Sequence, residues 1–278
     1  MIYALILNYR DAERTSRCVE SLLVERVNRV LIWDNSADGG ASAQILMECW
    51  KNEDRVSLKI STINLGFAAG VNRGIERIVY QCPEARILLI NNDAQLLPGA
   101  ITLLTQALCR DTQAIIAYPC IDHGGQVMGT VYYQRYMGLI TTQSLSGSFP
   151  YASGCCMLIA SERMQVPLFD EMFFMYGEDI YLGWQLGGKK MIHIPQVLVK
   201  HEGSASSHMG SPFYEARIVA AHWLLVRKLA YNRIDYSFLW LGRCFSLTAR
   251  AIIRSVRYRS FIPLIALVEG WKIAFQRR

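Results

Sequence analysis

Short apolar runs alternate with amphipathic segments through the first 119 residues, and that alternation constrains the fold more than any other feature of the chain. IYALIL (2–7) precedes DAERTSRCVESLL, whose apolar residues recur at helical spacing behind Asp11 as an N-cap. RVLIWD (29–34) precedes SAQILMECW, and VSLKIST (56–62) precedes AAGVNRGIERIVYQC (68–82). ARILLINND (85–93) precedes PGAITLLTQAL, which begins at Pro98 and leads to AIIAYP (114–119). Continuous apolar strands are buried on both faces. Strand–helix–strand repetition then predicts an α/β fold, a Rossmann-like, mainly parallel sheet with helices on both faces.

Ligands of such sheets bind beyond the carboxyl ends of the strands. After the first strand comes Asn8-Tyr9-Arg10-Asp11, after the second Asp34-Asn35-Ser36, after the third Asn64-Leu65-Gly66-Phe67, and after the fourth Asn91-Asn92-Asp93. Each is an ordinary turn composition alone. Together they place polar groups along one edge and predict a site there. Gly66, Gly70 and Gly74 stand four apart, which is not the G-x-G-x-x-G dinucleotide fingerprint. They give a smooth helix face for close packing on the sheet, and a helix N-terminus after Gly66 that can face a phosphate.

The second half has a different texture. Residues 120–150 are rich in Gly, Tyr, Ser and Thr, which predicts hairpins or a mobile lid. YASGCCMLIA (151–160) reads as a buried strand, and KKMIHIPQVLVKHEG (189–203) as a strand leading to His201. From Pro212 the pattern is helical to the end. Between them, FFMYGEDIYLGWQLGG (173–188) sets Glu178 and Asp179 side by side behind an aromatic run. Acids at a helix start are the ordinary reading. A carboxylate half-buried by Phe173, Phe174 and Tyr176 is the functional one, with its pKa pushed up toward use as a base. Asp93 alone could not hold a divalent cation, but Asp93 with His201 and a diphosphate could, the imidazole favouring Mn²⁺ over Mg²⁺.

The ordered set ILNYRD, IWDNSAD, NLGFAAGVNRG, LLINNDA, ASGCCMLI and FDEMFFMYGEDIYLGWQLGGKKMIHIPQVLVKHEGSAS strongly resembles glycosyltransferase family 2, over roughly residues 2–235. Within that family it looks most like bacterial rhamnosyltransferase-type enzymes of cell-surface polysaccharide and O-antigen synthesis. The resemblance implies a GT-A fold, with residues 1–119 as nucleotide-sugar-binding half, 120–211 as acceptor and catalytic-base half, and 212–278 as a basic amphipathic region. It implies an inverting, metal-dependent transfer from a nucleoside-diphosphate sugar, dTDP-rhamnose or a UDP-sugar, to a saccharide hydroxyl on a lipid-linked acceptor. Leu7, Asn8, Tyr9, Asn64, Gly66, Phe67, Asn72, Asn91 and Asn92 would line the nucleotide-sugar site, and Asp34 would accept from the pyrimidine imide N–H. Asp93 and His201 would hold Mn²⁺ or Mg²⁺. Asp179 would be the general base, with Tyr176, Glu178 and Trp184 toward the acceptor. Two departures accompany the match: Tyr181 stands where related sequences carry a second Asp, and Asn91-Asn92-Asp93 carries one carboxylate where other branches have two.

Charge divides the chain. Residues 216–278 carry twelve Lys/Arg against Asp235 and Glu269, a balance of +10 in a chain of net +6, so the body is mildly acidic at −4. An acidic body disfavours nucleic acid. Arg243, Arg250, Arg254, Arg257 and Arg259 interleave with large apolar residues, without an apolar run long enough to span a bilayer. That pattern predicts a helix lying on an anionic membrane surface, or else a helical subdomain or homo-oligomer contact with a solvated basic face. The eight scattered cysteines and the absence of a basic leader before MIYALILNY predict reduced thiols and a cytoplasmic protein, peripheral at the inner face of the membrane. A non-catalytic nucleotide-sugar-binding or scaffold protein of a polysaccharide assembly complex is the alternative, as is a protein whose tail is its main function.

Overall fold

The computed structural model describes residues 1–202 and 210–276. The end of the HEGSAS stretch and the last two arginines lie outside the described residues. The strands are β1 (Ile2–Asn8), β2 (Arg29–Asp34), β3 (Val56–Ile60), β4 (Arg86–Asn91), β5 (Ala94–Leu96), β6 (Ile116–Asp122), β7 (Val127–Met128), β8 (Val131–Gln134), β9 (Leu139–Thr141), β10 (Ser148–Tyr151), β11 (Cys156–Ala160) and β12 (Met191–His201). The helices are α1 (Ala12–Val24), α2 (Ala41–Trp50), α3 (Phe67–Gln81), α4 (Ala100–Arg110), α5 (Glu178–Leu186), α6 (Pro212–Leu229), α7 (Arg233–Tyr258) and α8 (Ile262–Phe275).

The main sheet runs β3-β2-β1-β4-β11-β6-β12-β5, with β7 paired to β6. β3, β2, β1 and β4 are mutually parallel, as the alternation predicts. β11 enters antiparallel between β4 and β6, and β5 lies antiparallel on β12. Two layers of core flank this sheet. Ala4, Ile6, Ile32, Leu88 and Ile90 face α1 and α4; Leu5, Leu31, Ile87 and Leu89 face α3. Each buried Leu or Ile side chain among these contributes about 1.5–3 kcal/mol of burial free energy.

Asp11 caps α1 by accepting from the Arg14 N–H at 3.2 Å. The glycine stripe of α3 lies on β1: a Cβ at Gly74 would meet Leu5 Cδ1 at 2.4 Å, and one at Gly70 would meet Leu7 Cδ1 at 2.7 Å. Residues 120–150 form hairpins. β7 continues the main sheet, while β8, β9 and β10 make a separate three-stranded sheet in the order β10-β8-β9.

The C-terminal helices differ from a detached basic arm. α6, α7 and α8 share a core with that small sheet, formed by Val131, Tyr133, Val219, Leu225, Leu239 and Leu247. Three of the arginines expected to face lipid headgroups point inward. Arg243 is fully buried and donates to Tyr133 Oη at 2.8 Å and to the carbonyls of Arg135 and Tyr136 at 2.9 and 3.0 Å. Arg250 and Arg254 converge on Glu215, itself fully buried, each at 2.9 Å. Among the described residues, no helix is long and apolar enough to cross a membrane.

Candidate active site

The ends of β1, β2 and β4 open into a cleft of about 310 Å³. Twelve of the residues singled out from the sequence line it: Leu7, Tyr9, Asn64, Gly66, Phe67, Asn91, Asn92, Asp93, Tyr176, Glu178, Asp179 and His201.

Beneath the cleft floor, Asn8 Nδ2 donates to Asp34 Oδ1 at 2.7 Å and to Ser36 Oγ at 3.2 Å, while Thr15 Oγ1 donates to Asn8 Oδ1 at 2.7 Å. Asn8 and Asp34 are almost wholly buried and hold the β1 and β2 ends in register. Asn35 fixes the next loop, its amide donating to Asn64 Oδ1 and the Gly66 carbonyl at 3.0 Å and its Oδ1 accepting from the Leu65 N–H. Gly66 has φ +82°, and a Cβ there would stand 2.3 Å from the Phe174 carbonyl. Only glycine meets both demands. The close approach lets the Phe67 N–H donate to the Phe174 carbonyl at 2.6 Å, joining the strand-end loop to the loop that carries the acidic pair.

That acidic pair starts α5 behind Gly177, whose φ is +88°. Asp179 Oδ2 accepts from the Gly154 N–H at 3.1 Å, and Oδ1 from the Ile180 N–H at 2.8 Å. Burial pushes the Asp179 carboxyl up, and it stays raised although the Gly154 and Ile180 N–H groups pull the other way. Glu178 is raised further, by burial and then by the charge of Asp179, and its Oε2 has no hydrogen-bond partner among the described residues.

Elsewhere along the cleft, β5 pairs with the end of β12 and sets His201 opposite Ala94. His201 Nε2 lies 2.9 Å from Asp93 Oδ1, and His201 Nδ1 lies 2.9 Å from His123 Nδ1. Burial opposes ionisation of Asp93, but the hydrogen bond and charge of His201, with the charge of Arg14, hold the carboxyl below its usual value. One carboxylate and one imidazole in contact at a cleft rim form a donor set that suits a divalent cation completing its shell with phosphate oxygens and water.

Two of the expected site residues stand away from the cleft. Asn72 is fully buried in α3, where it donates to the Phe169 carbonyl at 2.8 Å and accepts from the Phe169 N–H at 3.0 Å. It latches α3 to the segment before the acidic loop. Trp184 lies on α5 against Phe149 and Tyr231, with ring centroids 5.0 and 5.3 Å apart. Conversely, Asn35, His123 and Gly154 line the cleft without having been singled out for a role in it. Asn35 was legible beside Asp34; His123, a lone histidine in a loop-rich stretch, gave no pattern to read.

A curled, mainly parallel sheet that brings polar strand ends, an Asp–His pair and a buried carboxylate pair to one cleft has the GT-A arrangement of sugar-transferring enzymes. Solved structures share the fold. GalNAc-T7 with UDP, GalNAc and Mn²⁺ superposes at a TM-score of 0.63 and 12% identity, over 85% of this chain and 49% of that one. The chain thus spans about half the length of that relative. The mannosyltransferase PcManGT from Pyrobaculum calidifontis, in complex with GDP-Man and Mn²⁺, gives 0.58 at 10% identity over 100% of this chain and 88% of that one. In sequence, the chain is 27% identical to the N-acetylglucosaminyl-diphospho-decaprenol L-rhamnosyltransferase of Mycobacterium tuberculosis, over 90% of this chain and 91% of that protein. The model of glycosyl transferase family 2 matches residues 3–163. The chain belongs to glycosyltransferase family 2.

Proposed function

We propose that this glycosyltransferase moves a sugar, with inversion, from a nucleoside-diphosphate sugar to a hydroxyl of a lipid-linked saccharide, with dTDP-rhamnose as leading donor. The observation that carries this is the position of Asp179, a raised carboxylate in the same cleft that the Asp93–His201 pair lines. The mycobacterial relative, named for rhamnosyl transfer to a diphospho-decaprenol acceptor, supports the donor and acceptor classes.

The donor nucleotide lies over the β1 and β2 ends. Asp34, buried beneath the cleft floor with its Oδ1 accepting from Asn8 and Ser36, holds the strand ends on which the pyrimidine rests. Asn64 and the Gly66–Phe67 turn flank the diphosphate, and Asn91 and Asn92 flank the sugar. Asp93 and His201 would hold a divalent cation, Mn²⁺ or Mg²⁺, which when bound supplies positive charge beside the diphosphate. Asp179 takes the proton of the acceptor hydroxyl as its oxygen bonds to the anomeric carbon and the bond from that carbon to the diphosphate oxygen breaks. The Gly154 and Ile180 N–H groups aim the carboxylate, and Glu178 and Tyr176 close the acceptor side.

Asp179→Asn keeps the shape and removes the base. It is expected to lower kcat by about 10²–10⁴-fold while nucleotide affinity stays within about twofold. Unchanged turnover in Asp179→Asn would refute the role.

The acceptor class places the enzyme at a membrane. α7 presents Ile234, Phe238, Leu241, Phe245, Ile252 and Val256 to solvent at spacings of three, four and seven residues, with Arg233, Arg257 and Arg259 exposed beside them. This apolar stripe with a cationic fringe is the surface we assign to anionic lipid. Phe245→Glu should weaken binding to vesicles containing phosphatidylglycerol and leave turnover on a short water-soluble acceptor unchanged. A dimer dispersed by Phe245→Glu in sedimentation velocity, with no vesicle binding by the parent, would assign the stripe to a second copy instead.

A further inference from the structure

Behind the loop that carries the acidic pair lies a second cavity, of about 680 Å³, enclosed by residues 172–175, α6 and α8. Its wall is mixed, with Phe174, Met175, Leu224, Ile273 and Phe275 contributing an apolar part beside polar groups. Two cations face it. Arg217 lies over the Phe174 ring at 4.3 Å, and Arg227 lies over the Phe275 ring at 5.7 Å while donating to the Ala274 carbonyl at 3.2 Å. Among the described lining residues there is no carboxylate. Phe174 and Met175 also line the cleft that holds Asp179, so the two spaces are separated by one shared wall. On the outer side Phe275 packs on Trp271 at 5.1 Å, and Trp271 is about half exposed on the apolar surface of α8.

We propose that this cavity takes the diphosphate and first isoprenoid units of a lipid-linked acceptor. The inference rests on the glycosyl-transfer reading above. The guanidiniums of Arg217 and Arg227 meet the diphosphate, whose planar-fork recognition suits arginine. The apolar part of the wall takes the hydrocarbon, which leaves past Phe275 and Trp271 toward the surface that α8 exposes. The acceptor sugar, joined to the diphosphate, then passes over the partly exposed edge of Phe174 and Met175 and sets its hydroxyl at Asp179. The order of groups along the substrate, base-facing sugar, anionic linker and apolar chain, matches the order of groups along the protein.

The probe is farnesyl diphosphate, a short prenyl diphosphate, titrated calorimetrically into the full chain with UDP and dTDP present so that the donor site is occupied. Binding is expected to persist with the nucleotides present and to exceed that of farnesol and of inorganic pyrophosphate by about tenfold or more. The Arg217→Gln, Arg227→Gln double variant should lose about tenfold or more, and the corresponding double Lys variant should recover part of the loss. Asp179→Asn should bind the probe as the parent does. Nucleotide-induced thermal stabilisation identifies the variants that remain folded. Displacement of the probe by nucleotide, equal binding of pyrophosphate alone, or indifference of a folded double Gln variant would each overturn the proposal. Nucleotide binding without prenyl diphosphate binding overturns this inference and leaves the transfer reading standing. Prenyl diphosphate binding without nucleotide binding overturns the transfer reading instead.

Discussion

Asp179 and Glu178 occupy adjacent positions yet differ in what surrounds them. Asp179 has two backbone N–H donors, whereas Glu178 has a buried oxygen without a partner among the described residues. A base works in its ionised form, and the Asp179 carboxyl is raised. The acid limb of kcat is therefore expected above the ordinary aspartate pKa of about 4, with activity falling as pH drops through the raised value. A pH–rate profile with its acid limb at or below the ordinary value would contradict the assignment. Glu178 gives a stability test of opposite flavour. A raised folded-state pKa means that the folded protein retains a proton which the unfolded chain releases, so stability falls as pH rises from the ordinary glutamate value through the raised one. Glu178→Gln removes that loss, and its Tm should exceed the parent's by more at pH 7 than at pH 5. Of these two carboxylates the sequence shows the adjacency and the aromatic neighbours. It does not show that Gly154, twenty-five residues earlier, supplies one of the donors that aims Asp179.

At the scale of elements, the loop from Asn64 to Phe67 and the loop from Phe169 to Gly177 behave as one unit. The Phe67–Phe174 backbone bond and the two Asn72–Phe169 bonds tie them. Gly66→Ala must move the Phe174 carbonyl and strain a positive φ, and is expected to cost about 1–3 kcal/mol in chemical denaturation while raising KM for the donor. Strand–helix alternation made β1 to β4 and α1 to α4 readable before any coordinates, because continuous apolar runs and amphipathic spacing are local properties. Pairing direction is not local. β11 reads as a buried strand in either direction, and its antiparallel insertion beside β4 depends on the chain's route through the hairpins. β5 has only three residues and exists through its pairing with β12, about a hundred residues away, so its periodicity carries no signal. That short strand nevertheless brings Asp93 to His201.

Across the whole molecule, the charge asymmetry of the sequence resolves into two different uses of arginine. Counting charges shows a basic C-terminal region but not which guanidiniums meet a partner. Glu215 on α6 is paired by Arg250 and Arg254 on α7, and Arg243 closes on the hairpin sheet through Tyr133. These contacts join α7 to α6 and to the hairpin sheet, so removal of residues 236–278 should expose core and leave buried charge rather than release a soluble transferase. Glu215→Ala, which strands two partly buried guanidiniums, is expected to cost about 3–5 kcal/mol in urea unfolding. Arg257→Gln, exposed near the end of α7, should change stability by less than about 0.5 kcal/mol. The outward-facing remainder of α7 stays exposed, while its inward arginines hold α6 and the hairpin sheet in place.

The measurement that tests the central claim most directly is calorimetric binding of dTDP and UDP, with and without Mn²⁺, to the parent, Asp93→Ala and Asp179→Asn. The account predicts Mn²⁺-dependent nucleotide binding in the parent, its loss by about tenfold or more in Asp93→Ala, and its retention in an Asp179→Asn protein that no longer turns over. Nucleotide binding that ignores both Mn²⁺ and Asp93 in folded protein, or an absence of binding by every nucleotide tried, would contradict it.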